Sequence, residues 1–87
     1  MSALNPEKLV LAQQEQRIIL AEFNAAAQKH APMNSLHEAY AVILEEVDEL
    51  WEETKKKQRL RNLPNVKTEL RQIAAMALRA LVDLKLE

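Results

Sequence analysis

The chain has no cysteine, no glycine, and only one each of Trp, Tyr and Phe. Without cysteine it can form no disulfide, no thiolate metal site and no thiol nucleophile. Its three prolines, at positions 6, 32 and 64, leave long stretches free of the two residues that break helices most strongly. A core built from Leu, Ile, Val and Ala suits packed helices. The composition therefore predicts a single all-α domain over residues 1–87, with three main helices.

Neither a strong net charge nor a long apolar segment is present. The 12 basic and 13 acidic residues leave a net charge of -1, so nucleic acid and anionic membranes are not expected partners. No run of about 18 apolar residues occurs, and residues 1–6 lack the basic segment followed by a long apolar run that is typical of a signal peptide. We therefore expect a cytoplasmic protein. Because small domains bury a smaller fraction of their surface than large ones, we also expect a homo-oligomer.

Each of the three helices has a recognisable start signal. Asn5 is a good N-cap with Pro6 at the first helical position. Ser35 and Glu38 form a capping box for the second helix, and either of two asparagines can cap the third. The first helix is predicted to run from Asn5 to about His30 and the second from Ser35 to about Lys56. The third is predicted to begin at Asn62 or Asn65, around Pro64.

Apolar stripes predict which faces of the helices are buried. The first helix is apolar over more than one face, so we expect one of its faces to meet another subunit. Tyr40 and Trp51 are expected in the core. The stripe of the second helix comprises Leu36, Tyr40, Ile43, Val47, Leu50 and Thr54, and that of the third comprises Val66, Leu70, Ile73, Ala77, Leu81 and Leu84.

Residues 45–53 hold six acids in nine positions, which is unusual for a solvated helix face. At about 100° per residue, Glu46 falls inside the apolar arc of the second helix and Glu49 lies at its edge. On the third helix, Glu69 and Gln72 border the apolar stripe in the same way. If the connector turns near residue 59, antiparallel pairing brings Glu49 opposite Glu69 and Glu46 opposite Gln72.

Carboxylates held this close repel one another unless they are protonated or share a cation. Hard oxygen ligands select Mg²⁺ or Mn²⁺ over softer metals. Such an ion suits phosphoanhydride hydrolysis, because it polarises phosphates and lowers the pKa of an attacking water. Three alternatives stay open: an ordinary solvated acidic face, a non-catalytic helical partner protein, and a fold that binds nucleotide without hydrolysing it.

The acidic segments resemble a known motif. Glu45-Glu46-Val47-Asp48-Glu49, followed by Glu69-Leu70-Arg71-Gln72, is similar to the Glu-Glu-x-x-Glu and Glu-x-x-Asp pattern of MazG-like members of the all-α nucleoside triphosphate pyrophosphatase superfamily. The chain departs from the pattern at Gln72, where the family has Asp. The resemblance covers about residues 35–84.

The resemblance implies Mg²⁺-dependent hydrolysis of a nucleoside triphosphate to the monophosphate and pyrophosphate, in a dimer or tetramer built from helical hairpins. By motif position, Glu45, Glu46, Glu49 and Glu69 would form the catalytic set. Glu46, Glu49 and Glu69 would hold the metal, with Gln72 coordinating through its amide oxygen and one negative charge fewer.

Overall fold

The computed structural model describes residues 5–86, while residues 1–4 and 87 lie outside the described part. Residues 5–86 form three α-helices and one short 3-10 helix, and they contain no strand. The all-α prediction with three main helices is confirmed. In this part of the chain, no helix has both the length and the apolar character needed to cross a membrane. The elements are α1 (Pro6–Lys29), α2 (Leu36–Thr54), the 3-10 helix (Gln58–Leu60) and α3 (Leu63–Asp83).

The helix caps lie where the sequence predicts them. The Asn5 side chain accepts hydrogen bonds from the first turn of α1. Ser35 Oγ accepts from the Glu38 N–H at 3.1 Å, but the Glu38 carboxylate accepts from the Asn34 N–H at 3.0 Å, so the capping box closes one residue earlier than predicted. Asn62 caps α3 by accepting from a backbone N–H at 3.2 Å. The structure thus decides between the two candidate caps of α3.

Two side chains fix the connector between α2 and α3. Arg61 donates from Nε and Nη2 to the Thr54 carbonyl oxygen at 3.0 and 2.6 Å, and α2 ends at this residue, two positions before the predicted end. The buried Glu53 carboxylate accepts from the Asn62 N–H and from Lys56 Nζ. The Lys56 ammonium, together with the Asn62 N–H, holds the pKa of Glu53 below its ordinary value. Glu53 is therefore a structural acid, in contrast to its neighbours in the acidic run.

The linker between α1 and α2 is attached to the end of α3. Arg79 Nη2 donates to the Ala31 carbonyl oxygen at 3.0 Å, and Asp83 Oδ2 accepts from the Met33 N–H at 2.9 Å. Arg79 and Asp83 also form an ion pair at 3.9 Å. Because Met33 and Arg79 are both buried, this attachment belongs to the core of the chain.

The core is small, and α3 packs against both α1 and α2 to form it. Its buried apolar residues are Met33, Ala39, Ala75 and Met76, and no large side chain is fully buried in the described part of the chain. Tyr40 is 68% exposed, so its predicted core position is wrong for the isolated chain.

Other predicted core residues are exposed as well. The apolar arcs of α2 and α3 are wider than the area that their neighbours cover, so the outer part of each arc has no partner within the chain. Met76 and Ala75, on the flank of α3 beside Gln72, point inward instead. Besides Tyr40, the residues that were predicted to be buried but are exposed are Leu36, Val47, Trp51, Thr54, Leu70 and Leu81.

Candidate metal centre

Glu46, Glu49 and Glu69 meet between α2 and α3. One carboxylate oxygen from each residue lies within 4.8 Å of the corresponding oxygens of the other two. Glu46 and Glu49 lie one turn apart on α2, and Glu69 comes from the second turn of α3. Around a six-coordinate Mg²⁺ with Mg–O distances of about 2.1 Å, adjacent oxygens are about 3.0 Å apart and opposite oxygens about 4.2 Å. The three carboxylate oxygens, which lie within 4.8 Å of one another, would therefore have to approach by up to about 1.8 Å to share one ion.

The pKa of each of these three carboxyl groups is raised above its ordinary value. For Glu46 and Glu69 the largest cause is burial. Repulsion from Glu49 and Glu45 adds to it for Glu46, and repulsion from Glu46 adds to it for Glu69, whereas the contacts of Glu46 with Glu69 and of Glu69 with Glu49 partly offset the rise in pKa. For Glu49, which is exposed, the largest cause is the adjacent Glu69 carboxyl. Each raised pKa means that the cluster resists full ionisation. A proton or a cation shared by the three groups removes that conflict.

Glu69 carries the most informative atom of the cluster. Its Oε2 is buried and has no hydrogen-bond partner among residues 5–86. A carboxylate oxygen removed from water without a donor is costly, so such an atom calls for a cation or a proton. The lysines and arginines that form ion pairs in the described chain bind other acids. An all-oxygen set of three carboxylates fits Mg²⁺ or Mn²⁺ in donor chemistry and charge.

Gln72, the predicted fourth ligand, is held by helix α1. Its Nε2 donates to Glu22 Oε2 at 2.6 Å, so the amide nitrogen is committed and only the amide oxygen remains for a metal. The preceding residue, Arg71, donates to the Glu15 carboxylate at 2.7 and 2.8 Å, and this contact lowers the pKa of Glu15. Glu22 was not predicted as a site residue, although its seven-residue spacing from Glu15 places both acids on one face of α1.

Glu45 stands outside the group of three converging oxygens and is exposed. It lines a neighbouring cavity of about 310 Å³ together with Glu46. Met33, Met76 and the buried Arg79 contribute to the same cavity. Its volume lies at the lower end of the range for small-molecule pockets. Arg79 was not identified from the sequence, because a lone arginine in the last turns of a helix resembles an ordinary surface residue.

Comparisons of this chain with models of known protein families, with curated proteins and with solved structures find no match. The resemblance to the MazG-like pattern therefore rests on the residues of the motif alone and stays a prediction. The convergence of Glu46, Glu49 and Glu69 is a separate observation, since it comes from the packing of α2 on α3.

Proposed function

We propose that the chain is a nucleoside triphosphate pyrophosphohydrolase of the cytoplasm that depends on Mg²⁺ or Mn²⁺. The reaction adds water across a phosphoanhydride bond and yields a nucleoside monophosphate and pyrophosphate. One observation carries the proposal: three carboxylates from two helices converge within 4.8 Å, and the described chain gives them no cationic partner. Such a cluster is costly in an ordinary structural role, because like charges repel at its partly buried edge.

Glu46, Glu49 and Glu69 would hold the ion, with the amide oxygen of Gln72 as a further ligand. When bound, the ion neutralises phosphate charge and lowers the pKa of a coordinated water. Glu45 lies beside Glu46, is exposed and lines the cavity, and these features support the proposal that its carboxylate accepts a proton from an attacking water.

The cavity beside Glu46 suits the remainder of a nucleotide. Its wall combines the apolar side chains of Met33 and Met76 with the polar groups of Arg79. This combination of apolar surface with a few fixed polar groups is typical of small-molecule sites. A nucleotide with its phosphates at the acidic cluster would place its sugar or base in this cavity.

The assembly that we propose is an oligomeric helical bundle built from antiparallel α2–α3 hairpins. Two contacts at opposite ends support the antiparallel direction. Glu53 near the end of α2 contacts Asn62 at the start of α3, and Met33 before α2 contacts Asp83 at the end of α3.

A second candidate function is nucleotide binding without hydrolysis. The contact between Gln72 and Glu22 favours it, because the amide supplies no charge to the metal and is partly committed to α1. Loss of one negative ligand lowers Mg²⁺ affinity relative to a four-carboxylate site. In this case the cavity and the cluster would still bind a nucleotide with its metal.

The test is release of pyrophosphate from a panel of ribo- and deoxyribonucleoside triphosphates, with Mg²⁺, with Mn²⁺ and with chelator. We expect metal-dependent turnover that falls about tenfold or more in Glu46→Gln and Glu69→Gln. The matched control is Glu52→Gln, which removes an exposed acid of the same run that is paired with Lys55, and it should keep its turnover. Metal-dependent nucleotide binding with no pyrophosphate would favour the second candidate. Neither binding nor turnover would exclude both.

A further inference from the structure

The isolated chain exposes more surface than a compact protein of its mass. Its accessible surface is 7086 Å², whereas a folded monomer of 10.0 kDa exposes roughly 5,200 Å². Its radius of gyration is 15.0 Å, compared with about 12 Å for a compact chain of this length. The excess of roughly 1,900 Å² exceeds the approximately 800 Å² that each partner buries in an interface of standard size. The area therefore suffices for a stable interface.

One face of α2 concentrates exposed apolar side chains. At about 100° per residue, five of them fall within an arc roughly 80° wide, and no charged residue of α2 lies in that arc. We call this face the α2 stripe. It consists of Leu36, Tyr40, Leu44, Val47 and Trp51, all of them exposed.

The other helices offer less suitable faces. On α1 the exposed apolar residues point in several directions around the helix. On α3 the exposed leucines share one direction but are spread over nineteen positions of the chain. The residues concerned are Leu9, Val10, Leu11, Ile18 and Leu20 on α1, and Leu63, Leu70 and Leu81 on α3. The α2 stripe is therefore the most continuous apolar surface of the three.

The α2 stripe is self-complementary about its own centre. Tyr40 and Trp51 are equally distant in sequence from the midpoint between Leu44 and Val47. In an antiparallel pair of α2 helices related by a two-fold axis, each Tyr40 would meet the other chain's Trp51, and each Leu44 would meet the other chain's Val47. Such an isologous contact uses the same patch on both chains. Aromatic pairs of this kind also pack favourably.

Charge favours the antiparallel direction as well. The acids of α2 are concentrated in residues 45–53, whereas its first half carries Glu38 alone as an acid. A parallel pair would align the two acidic segments, and like charges that face each other are destabilising. The antiparallel pair places each acidic segment beside the less charged half of the other helix.

We propose that a second copy of this chain packs on the α2 stripe, with the two α2 helices antiparallel about a two-fold axis near residues 44–47. Glu46 lies about 120° around α2 from the centre of the stripe, so the contact leaves the acidic cluster on another face. The inference specifies the surface and symmetry of the proposed oligomer. It stands independently of the proposed hydrolase activity.

The absence of native cysteine allows a direct test by site-directed crosslinking. Leu44→Cys chains are mixed with Val47→Cys chains that carry a mass tag, and the mixture is oxidised gently. We expect disulfides mainly between the two kinds of chain, because directly facing positions meet the distance limits of a disulfide. Leu20→Cys, on α1, is the matched exposed control and should give only slow, collisional crosslinking.

Sedimentation of the parent chain provides the second measurement, and we expect an even multiple of 10.0 kDa. Leu44→Lys should raise the dissociation constant of the pair about tenfold or more, since it places a charge at the centre of the stripe. Crosslinking preferentially within each kind of chain would show a parallel contact and overturn the proposed symmetry. A 10.0 kDa monomer at micromolar concentration, or crosslinking only through α1, would overturn the interface and leave the stripe for a different protein.

Discussion

Replacing Glu69 with glutamine separates a metal-binding role from a structural one. Glutamine has nearly the same shape as glutamate but no charge, and its amide can donate a hydrogen bond to the Glu46 or Glu49 carboxylate. In the parent chain, Glu69 Oε2 is buried without a partner, and burial beside Glu46 raises the Glu69 pKa. In the absence of metal the substitution therefore removes a repulsion, and we expect the variant to be more stable than the parent.

The size of this gain follows from the partial exposure of the cluster. Solvent screening limits the effect of one charge pair to about 0.5–1 kcal/mol. In a small domain 1 kcal/mol corresponds to a shift of about 4–8 °C in the melting temperature, so we expect a rise of about 2–8 °C in chelator. Bound metal should reverse the order of stability of the parent and the variant. At one hundred times its dissociation constant, Mg²⁺ stabilises the parent by about 2.7 kcal/mol, which is more than the repulsion costs.

The assay is thermal melting at one fixed protein concentration, in chelator and in Mg²⁺. Glu69→Gln should melt above the parent in chelator and below it in saturating Mg²⁺. The control Glu52→Gln should follow the parent in both conditions, because Glu52 is exposed and paired with Lys55. If Glu69→Gln melts below the parent in chelator and both respond equally to Mg²⁺, then Glu69 is a structural residue and the metal-site interpretation is wrong.

Three further predictions concern the surroundings of the cluster. Because the pKa of Glu46 is raised above its ordinary 4.5, the folded chain binds more protons than the unfolded chain, so metal-free stability should fall as pH rises through that raised value. Urea unfolding from pH 4.5 to 7 should show this loss in the parent and less of it in Glu46→Gln. Gln72→Asp should tighten Mg²⁺ in calorimetry and lower the metal-free melting temperature, since it adds a carboxylate and removes the bond to α1. Arg79→Met should cost about 1–3 kcal/mol in urea unfolding, because it leaves the Ala31 carbonyl without its donor, whereas exposed Arg59→Met should change little.

The sequence predicts local features of this fold well, because caps and helical periodicity depend on neighbouring residues. Asn5, Ser35 and Asn62 cap the three helices as their side chains suggest. The meeting of Glu49 with Glu69 also follows from local rules, since the connector position sets the pairing of α2 with α3. The metal, the activity and the oligomer remain predictions, because none of them is a property of a single helix or helix pair.

Contacts over long sequence distances were not predicted. Glu22 reaches Gln72 and Arg79 reaches Ala31 across about fifty residues, and each depends on the placement of α1 or its linker against α3. Periodicity describes one helix at a time, so it cannot identify such partners. The role of Glu53 was not predicted for the same reason. In the sequence it resembles another surface acid, whereas in the structure its carboxylate accepts a hydrogen bond from the Asn62 N–H of the connector.

There is a physical reason why Tyr40 and Trp51 are exposed although they were predicted to lie in the core. Periodicity identifies apolar faces correctly but does not say whether the same chain or another one covers them. On α2, Ala39 and Glu46 face the interior of the chain, whereas Tyr40 and Trp51 lie on the outer stripe. A helix with two apolar faces and only one neighbour within its chain leaves one face open, at a cost proportional to its apolar area. Because that face is continuous and free of charge, the proposed packing of a second copy would explain why α2 carries large aromatic side chains where a monomer would favour polar ones.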